Sequence, residues 1–324
     1  MTAVLTYGQA FGQGVREEME QNERIFVMGT DLLDRGGNFG QLTGLGADFG
    51  PDRIRDAPIS EAAMVAAGVG AAVNGMRPIV DLNFVDFSFG AIDEIANQAA
   101  KMRYMLRVPV PLVIRASTGV ALYAMQHNNS IESWFAHVPG LIVVMPATPA
   151  DNKGLIKSAL RGEDPVIFLM HKRLGGLRGE VGGPDDLVPI GRAQVVREGT
   201  GVTLVTYSGL LQKATQAADE LVADGISVEV IDLRTIIPLD LELIEDSVRK
   251  TGRVVVAGEA PRFLGVVAEV AASIQESVFD YLEGPVLRVG AKHAPIPHSP
   301  VLFDSLIPQV ADIKRAVRAT FRGN

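Results

Sequence analysis

Short apolar runs of strand length recur along this chain with helix-patterned segments between them, and that alternation limits the possible folds more than any other feature. Ile25-Phe26-Val27-Met28, Pro78-Ile79-Val80-Asp81-Leu82, Val110-Pro111-Leu112-Val113-Ile114, Leu141-Ile142-Val143-Val144-Met145 and Val166-Ile167-Phe168-Leu169 are near-continuous apolar stretches. Strands that alternate apolar and polar residues have one wet face; strands like these are covered on both. The segments between them, such as Ala91 to Tyr104 and Pro149 to Arg161, place helix formers at i, i+3, i+4 spacing. Strand and helix in turn predict an α/β fold with a doubly wound, mainly parallel sheet.

The stretch Gly175 to Asp186 is rich in glycine and charge, so a boundary is expected near residue 185, giving domains over 1–185 and 186–324. A second, smaller α/β series follows it. Strands are expected at Val202 to Thr206, Val228 to Ile231, Arg253 to Ala257 and Val286 to Val289, with helices running to about Asp224, from Asp240 and from about Leu264. Gly225 and Pro238 supply stop signals.

A chain of 324 residues with 47% apolar content has enough material for two packed domains. A net charge of −8 without a Lys/Arg run excludes a phosphate-neutralising surface, so no nucleic-acid partner is expected. The longest apolar runs fall short of the ~20 residues that span a bilayer, which excludes a membrane helix. The chain has no cysteine, which removes disulfides, thiol nucleophiles and Cys-ligated zinc, and Met1 to Thr6 lack a secretion signal. A cytoplasmic enzyme is the expectation.

One acid stands out against this background. Asp56-Ala57-Pro58-Ile59-Ser60-Glu61 leads from a short apolar strand to a carboxylate at a helix start, and Ala62 to Ala72 is apolar and small on every face. Such a helix is expected to be buried, so the acid at its mouth needs a partner or a task. Desolvation would raise its pKa towards the range useful in proton transfer. The plainer alternative is an acid that offsets the helix dipole, with Ser60 as the cap.

The segment around Glu61 resembles the glutamate-bearing turn of the beta subunit of thiamine-diphosphate-dependent 2-oxoacid dehydrogenases, the decarboxylating first component of pyruvate dehydrogenase-type complexes. The resemblance continues through Asp93 to Met105, Trp134 to Gly140, Asp151 to Leu155 and Asp232 to Asp240, and so covers nearly the whole chain. It implies a pyrimidine-binding domain followed by a transketolase C-terminal-like domain. It also implies decarboxylation of a 2-oxoacid, with pyruvate first in line, and transfer of the acyl group to lipoyl.

By that resemblance Glu61 faces N1′ of the cofactor's aminopyrimidine, Asn83 and Phe87 belong to the pyrimidine pocket, and His127 assists the anionic intermediate. Taken alone, Phe84 and Phe87 read equally well as core, and His127 as a loop histidine capping the helix that starts near Ser130. His137 and His171 read as structural, and His293 and His298 as exposed. Relatives hold a potassium ion mostly through backbone carbonyls, which fall here on Leu112, Ala159, Leu160, Gly162 and Asp164. Glu283 matches an acidic position that docks the lipoyl acyltransferase core.

The family's diphosphate and magnesium site uses Gly-Asp-Gly and a later Asn, and this chain contains no Gly-Asp-Gly. An alpha subunit is therefore expected to hold Mg2+ and the diphosphate, with thiamine diphosphate shared across an alpha2-beta2 interface. Thr30 stands where the family has a glutamate, Gln126-His127-Asn128 replaces Gln-His-Ser, and the stretch after Met105 is short. These departures border the substrate entrance. An acetoin-dehydrogenase-type or split-transketolase subunit, or a subunit that keeps the fold without catalysis, therefore stays open as an alternative, although Asn97 to Lys101 disfavours transketolase.

Overall fold

In a computed structural model the described residues are 3–121, 123 and 125–321. The elements of the first half are β1 (Ala3–Thr6), α1 (Tyr7–Gln21), β2 (Ile25–Gly29), α2 (Leu45–Phe49), β3 (Ile54–Asp56), α3 (Glu61–Val73), β4 (Arg77–Phe84), α4 (Ala100–Leu106), β5 (Val113–Thr118), α5 (Glu132–Ala136), β6 (Ile142–Val144), α6 (Pro149–Arg161), β7 (Val166–His171) and β8 (Arg178–Val181). The second half adds β9 (Gln194–Arg197), β10 (Val202–Thr206), α7 (Leu210–Leu221), β11 (Val228–Asp232), β12 (Thr235–Ile237), α8 (Leu241–Thr251), β13 (Val254–Pro261), α9 (Val266–Ser277), β14 (Leu287–Ala291), α10 (Pro300–Leu306) and α11 (Val310–Ala319).

The chain forms two compact units. In the first, parallel strands lie in the order β6-β7-β5-β4-β2-β3, and β1 pairs antiparallel with β8. Successive residues of β4 point to opposite faces. Ile79 joins the core made by Phe11 and Val15 of α1 with Leu155 and Ile156 of α6. Val80 turns the other way, towards α3, where a Cβ on Gly68 would stand 2.7 Å from its methyl. Helices thus cover both faces of the sheet, as the apolar runs predict. The second unit carries the order β14-β13-β10-β11-β9, parallel except for the antiparallel edge strand β9.

The units are not two uninterrupted runs of chain. The first comprises the chain up to Thr118 and Trp134–Ile190; the second comprises Gly119–Ser133 and the chain from Gly191. The glycine-rich stretch stays with the first unit because α6 reaches out to hold it. Lys153 Nζ donates to the Gly182 carbonyl at 2.8 Å, Lys157 Nζ donates to the Pro184 carbonyl, and Ser158 Oγ donates to the Val188 carbonyl at 2.6 Å. A flexible composition is not a linker when buried lysines tether its carbonyls.

Two helices differ from expectation. Ala91 to Tyr104 is broken into a 3-10 turn over Val85–Ala91, a π-helical stretch over Glu94–Ala99 and then α4. Asp93, Asn97 and Lys101 line one side of it, with Asn97 donating to Asp93 at 2.5 Å and accepting from Lys101 at 2.6 Å. In α3 the residues Met64, Val65, Gly68, Val69 and Ala72 are buried, but Ala63, Ala66, Ala67 and Gly70 form an exposed face at i, i+3, i+4, i+7. The helix is apolar all round yet covered on one side only by this chain.

Candidate active site

The Glu61 turn is fixed from below. Asp56 Oδ1 at the end of β3 accepts the backbone N–H groups of Leu32 and Leu33 at 2.5 and 3.1 Å, and Ala57 N donates to the Gly29 carbonyl at 2.8 Å. The segment leaves the sheet edge with Ile59 80% exposed and enters α3 at Glu61. Ser60 is the residue before the helix and its side chain makes no capping bond, so the cap in the plainer alternative is missing while the helix-dipole role of Glu61 stands. Glu61 is half-buried and, among the described residues, makes no hydrogen bond or ion pair with the chain. A carboxylate at the positive end of a helix dipole, with no protein partner, is available to a ligand.

The strand-end segment Asn83 to Phe87 sits where an open α/β sheet places its ligands, at the carboxyl end of β4. Asn83 takes a left-handed conformation, φ 62°, held by its own N–H donating to Asp81 Oδ1 at 2.8 Å. Asparagine accepts that conformation more readily than most side chains. Its side chain is 7% exposed, and Oδ1 is buried with no protein donor among the described residues. Phe87 lies in the 3-10 turn that α3 packs against, so the structure brings the elements carrying Glu61 and Phe87 together. Its ring stands edge-on to Phe84 at 5.8 Å, and Phe84 meets Phe39 at 5.5 Å.

Beneath this segment lies a charged network. Arg115 on β5 is 2% exposed and its Nη1 donates to Asp81 Oδ1 at 3.1 Å, while Nη2 donates to Ser117 Oγ at 2.8 Å. Asp81 Oδ2 also accepts from Gln41 Nε2 at 2.7 Å, tying the loop before α2 to the strand. A buried pair of this kind is tolerable only with its remaining polar atoms satisfied, as they are here. The sequence did carry a signal for it: Asp81 and Arg115 are charges inside otherwise apolar strands.

His127 belongs to the second unit, in a 3-10 turn over Met125–His127, and is half-buried. The next helix begins at Glu132, two residues after Ser130. Asn128 is 2% exposed and closes the turn from within: its Oδ1 accepts from Ala121 N at 2.9 Å and its Nδ2 donates to the Tyr123 carbonyl at 3.0 Å. Asn128 is thus a staple for the histidine segment. Of the other histidines, His171 is buried and accepts from Arg173 N, whereas His137 is exposed, as are His293 and His298.

Of the positions matched to potassium, the carbonyls of Leu112, Ala159, Leu160 and Gly162 each accept from a protein donor. Arg77 Nη1 donates to the Leu160 carbonyl at 2.9 Å and the Gly162 carbonyl at 2.6 Å. Leu112 accepts from Val166 N, Ala159 from Gly162 N, and Asp164 pairs with Arg103 at 3.1 Å. Glu283 is likewise not a lone charge, because it pairs with Arg253.

Comparison with known proteins agrees with this geometry. Residues 3–176 match the transketolase pyrimidine binding domain, and residues 191–313 match the transketolase C-terminal domain. The chain is 41% identical to the 2-oxoisovalerate dehydrogenase subunit beta of Bacillus subtilis over 98% of each chain. It is 40% identical to the beta subunit of the acetoin:2,6-dichlorophenolindophenol oxidoreductase of Cupriavidus necator, over 100% of this chain and 99% of that one. It is 42% identical to the pyruvate dehydrogenase E1 component subunit beta of Rhizobium meliloti, over 98% of this chain and 70% of the relative. A solved split-gene transketolase, described as an inactive beta4 tetramer, superposes with a TM-score of 0.82 at 26% identity over 98% of each chain. Both units and the full length are accounted for by these relatives, and the chain belongs to the family of beta subunits of the 2-oxoacid dehydrogenase first component.

Proposed function

We propose that this chain supplies the pyrimidine half of a thiamine-diphosphate site to an alpha2-beta2 enzyme that decarboxylates a 2-oxoacid, pyruvate first, and passes the acyl group to lipoyl on an acyltransferase core. The observation that carries the reading is Glu61: a carboxylate at the mouth of α3, free of protein partners among the described residues. The residues present fit the cofactor's ring. Asn83 Oδ1 is a buried acceptor with no donor from the described chain, suited to an exocyclic amino group, and Phe87 offers an aromatic ring beside it. Ring stacking of that kind contributes roughly 0.5–1.5 kcal/mol beyond area burial.

Thiamine diphosphate, when bound, supplies the nucleophilic carbon and the electron sink for loss of carbon dioxide. The chain's own residues do the rest of what is assigned to it. Glu61 holds a proton at N1′ of the aminopyrimidine, Asn83 and Phe87 fix the ring's orientation, and His127 offers a proton or positive charge to the substrate's carboxylate side. The partner is inferred from two features. No Gly-Asp-Gly exists in this sequence to hold Mg2+ and the diphosphate, and the exposed Ala63, Ala66, Ala67 and Gly70 face of α3 is apolar surface suited to another helix.

Acetoin is the second substrate worth testing, because the Cupriavidus necator relative named for it matches this chain from end to end. No described helix is long and apolar enough to cross a membrane. The test is co-expression with an alpha chain carrying Gly-Asp-Gly and a screen of 2-oxoacids and acetoin with a dye acceptor. Glu61→Ala is expected to cut turnover by about 10²-fold or more, the scale of a lost acid/base group. Unchanged turnover would remove Glu61 from the mechanism.

A further inference from the structure

The second unit owns the segment that carries His127. Gly119–Ser133 departs from the first unit and packs with the second. Both ends of that excursion are held by buried polar contacts. At the start, Val120 N donates to Glu259 Oε1 on β13. At the end, Glu132, only 1% exposed, accepts from the Tyr207 hydroxyl at 2.8 Å through Oε1. Tyr207 follows β10 directly, and β10 and β13 are neighbouring parallel strands. The two anchors therefore rise from the carboxyl ends of adjacent strands, the edge where α/β sheets place functional groups.

The anchors form one cluster. A Cβ on Gly258 would come within 2.7 Å of the Tyr207 hydroxyl oxygen, so the glycine next to Glu259 lets the tyrosine lie flat against β13. Burial pushes the Tyr207 hydroxyl well above its ordinary pKa, and the Glu132 and Glu259 carboxylates push it the same way, so it stays a proton donor across the working range. Val120 also enters a small apolar cluster with Ile296, Phe303 and Ile307, which seats the first anchor in the same unit. Between the anchors, Asn128 bridges Ala121 and Tyr123 one residue after His127. A buried carboxylate, a half-buried one and a buried tyrosine are a costly way to fasten a surface loop unless its position matters.

We propose that Glu259, Tyr207 and Glu132 are positioning residues that hold the ends of the segment carrying His127. The inference rests on the reading of His127 as a catalytic group. Displacing a catalytic side chain by about an ångström can cost on the order of 10²-fold in rate, so small slack at either anchor is sufficient.

The test uses the full chain assembled with its alpha partner. Turnover with a dye acceptor is measured for wild type, His127→Ala, Tyr207→Phe and the double variant, and amide hydrogen exchange is followed over residues 119–133. Tyr207→Phe is expected to slow turnover roughly 10-fold to 100-fold and speed exchange in that segment, while the double variant is no slower than His127→Ala. Unchanged exchange in Tyr207→Phe, or equal slowing with and without His127, overturns the positioning role. Unchanged turnover in His127→Ala instead removes the reading of His127 and this role with it. Should Tyr207→Phe not assemble, Glu259→Ala at its half-exposed site gives the same pair of readings.

Discussion

Asp81 and Arg115 are charges set into strands that are otherwise apolar, and their cost in burial is offset by position. Asp81 Oδ1 holds both Arg115 and the N–H of left-handed Asn83, so one oxygen joins the core to the pocket. Gln41 and Ser117 satisfy the remaining groups of the pair, and the Arg115 guanidinium also lies 5.8 Å from the Phe39 ring. Arg115→Ala is expected to destabilise the chain by about 3–5 kcal/mol, because it leaves the Asp81 carboxylate buried without its counter-charge. Chemical unfolding of the variant checks this; a loss under about 1 kcal/mol, typical of an exposed pair, would show that the pair is not buried as described. The same residue scale explains Asn83. Its left-handed conformation is held by the contact of its backbone N–H with Asp81.

At the scale of elements, the seam between α1 and α6 shows how charge is used in the first unit. Glu17 on α1 accepts from Lys153 and Lys157 on α6 at 2.7 and 2.8 Å, and from Gln13 at 3.0 Å. Burial alone would raise the Glu17 pKa, but the bonds from Lys153, Lys157 and Gln13 outweigh it and hold the carboxyl below its ordinary value. A depressed folded-state value means the stabilisation is present above the unfolded carboxylate value and is lost as pH falls through the folded one. Glu17→Gln is therefore expected to lose stability at neutral pH and to show a shallower loss on acidification, measured by melting temperature between pH 7 and pH 3. An acid limb identical to wild type would place the titration elsewhere.

Much of the element scale was legible in advance. Pro149–Arg161 and Val202–Thr206 form as read, because a Pro after Thr148 starts the helix and a β-branched run has both faces to bury. Val110 to Ile114 reads as a strand but pairs only from Val113, since Pro109 and Pro111 cannot donate to the ladder. The segments that carry the resemblance prove to be mostly fasteners. Asn152 donates to the Tyr7 carbonyl, Asp240 caps α8 and accepts from Ala193 N, and Gly140 meets the Ala100 carbonyl so closely that a Cβ would stand 2.0 Å from it. What was not legible is non-local. The excursion of Gly119–Ser133 into the second unit, and the Tyr207–Glu132 bond across 75 residues, have no signature in a sequence window.

At the scale of the whole molecule, the chain has the marks of one part of an assembly. Its candidate site brings an acid, an amide acceptor and an aromatic ring, which the proposal assigns to a cofactor's pyrimidine, and the sequence has no Gly-Asp-Gly for a metal and a diphosphate. Its most apolar helix is covered on one side only. These features agree on a site completed by a second chain. The direct test compares 2-oxoacid turnover, with a dye acceptor and added thiamine diphosphate and Mg2+, for the purified chain alone and for the chain co-purified with a Gly-Asp-Gly-bearing partner. No turnover alone and clear turnover in the complex is the predicted result; robust turnover by the isolated chain would contradict the account.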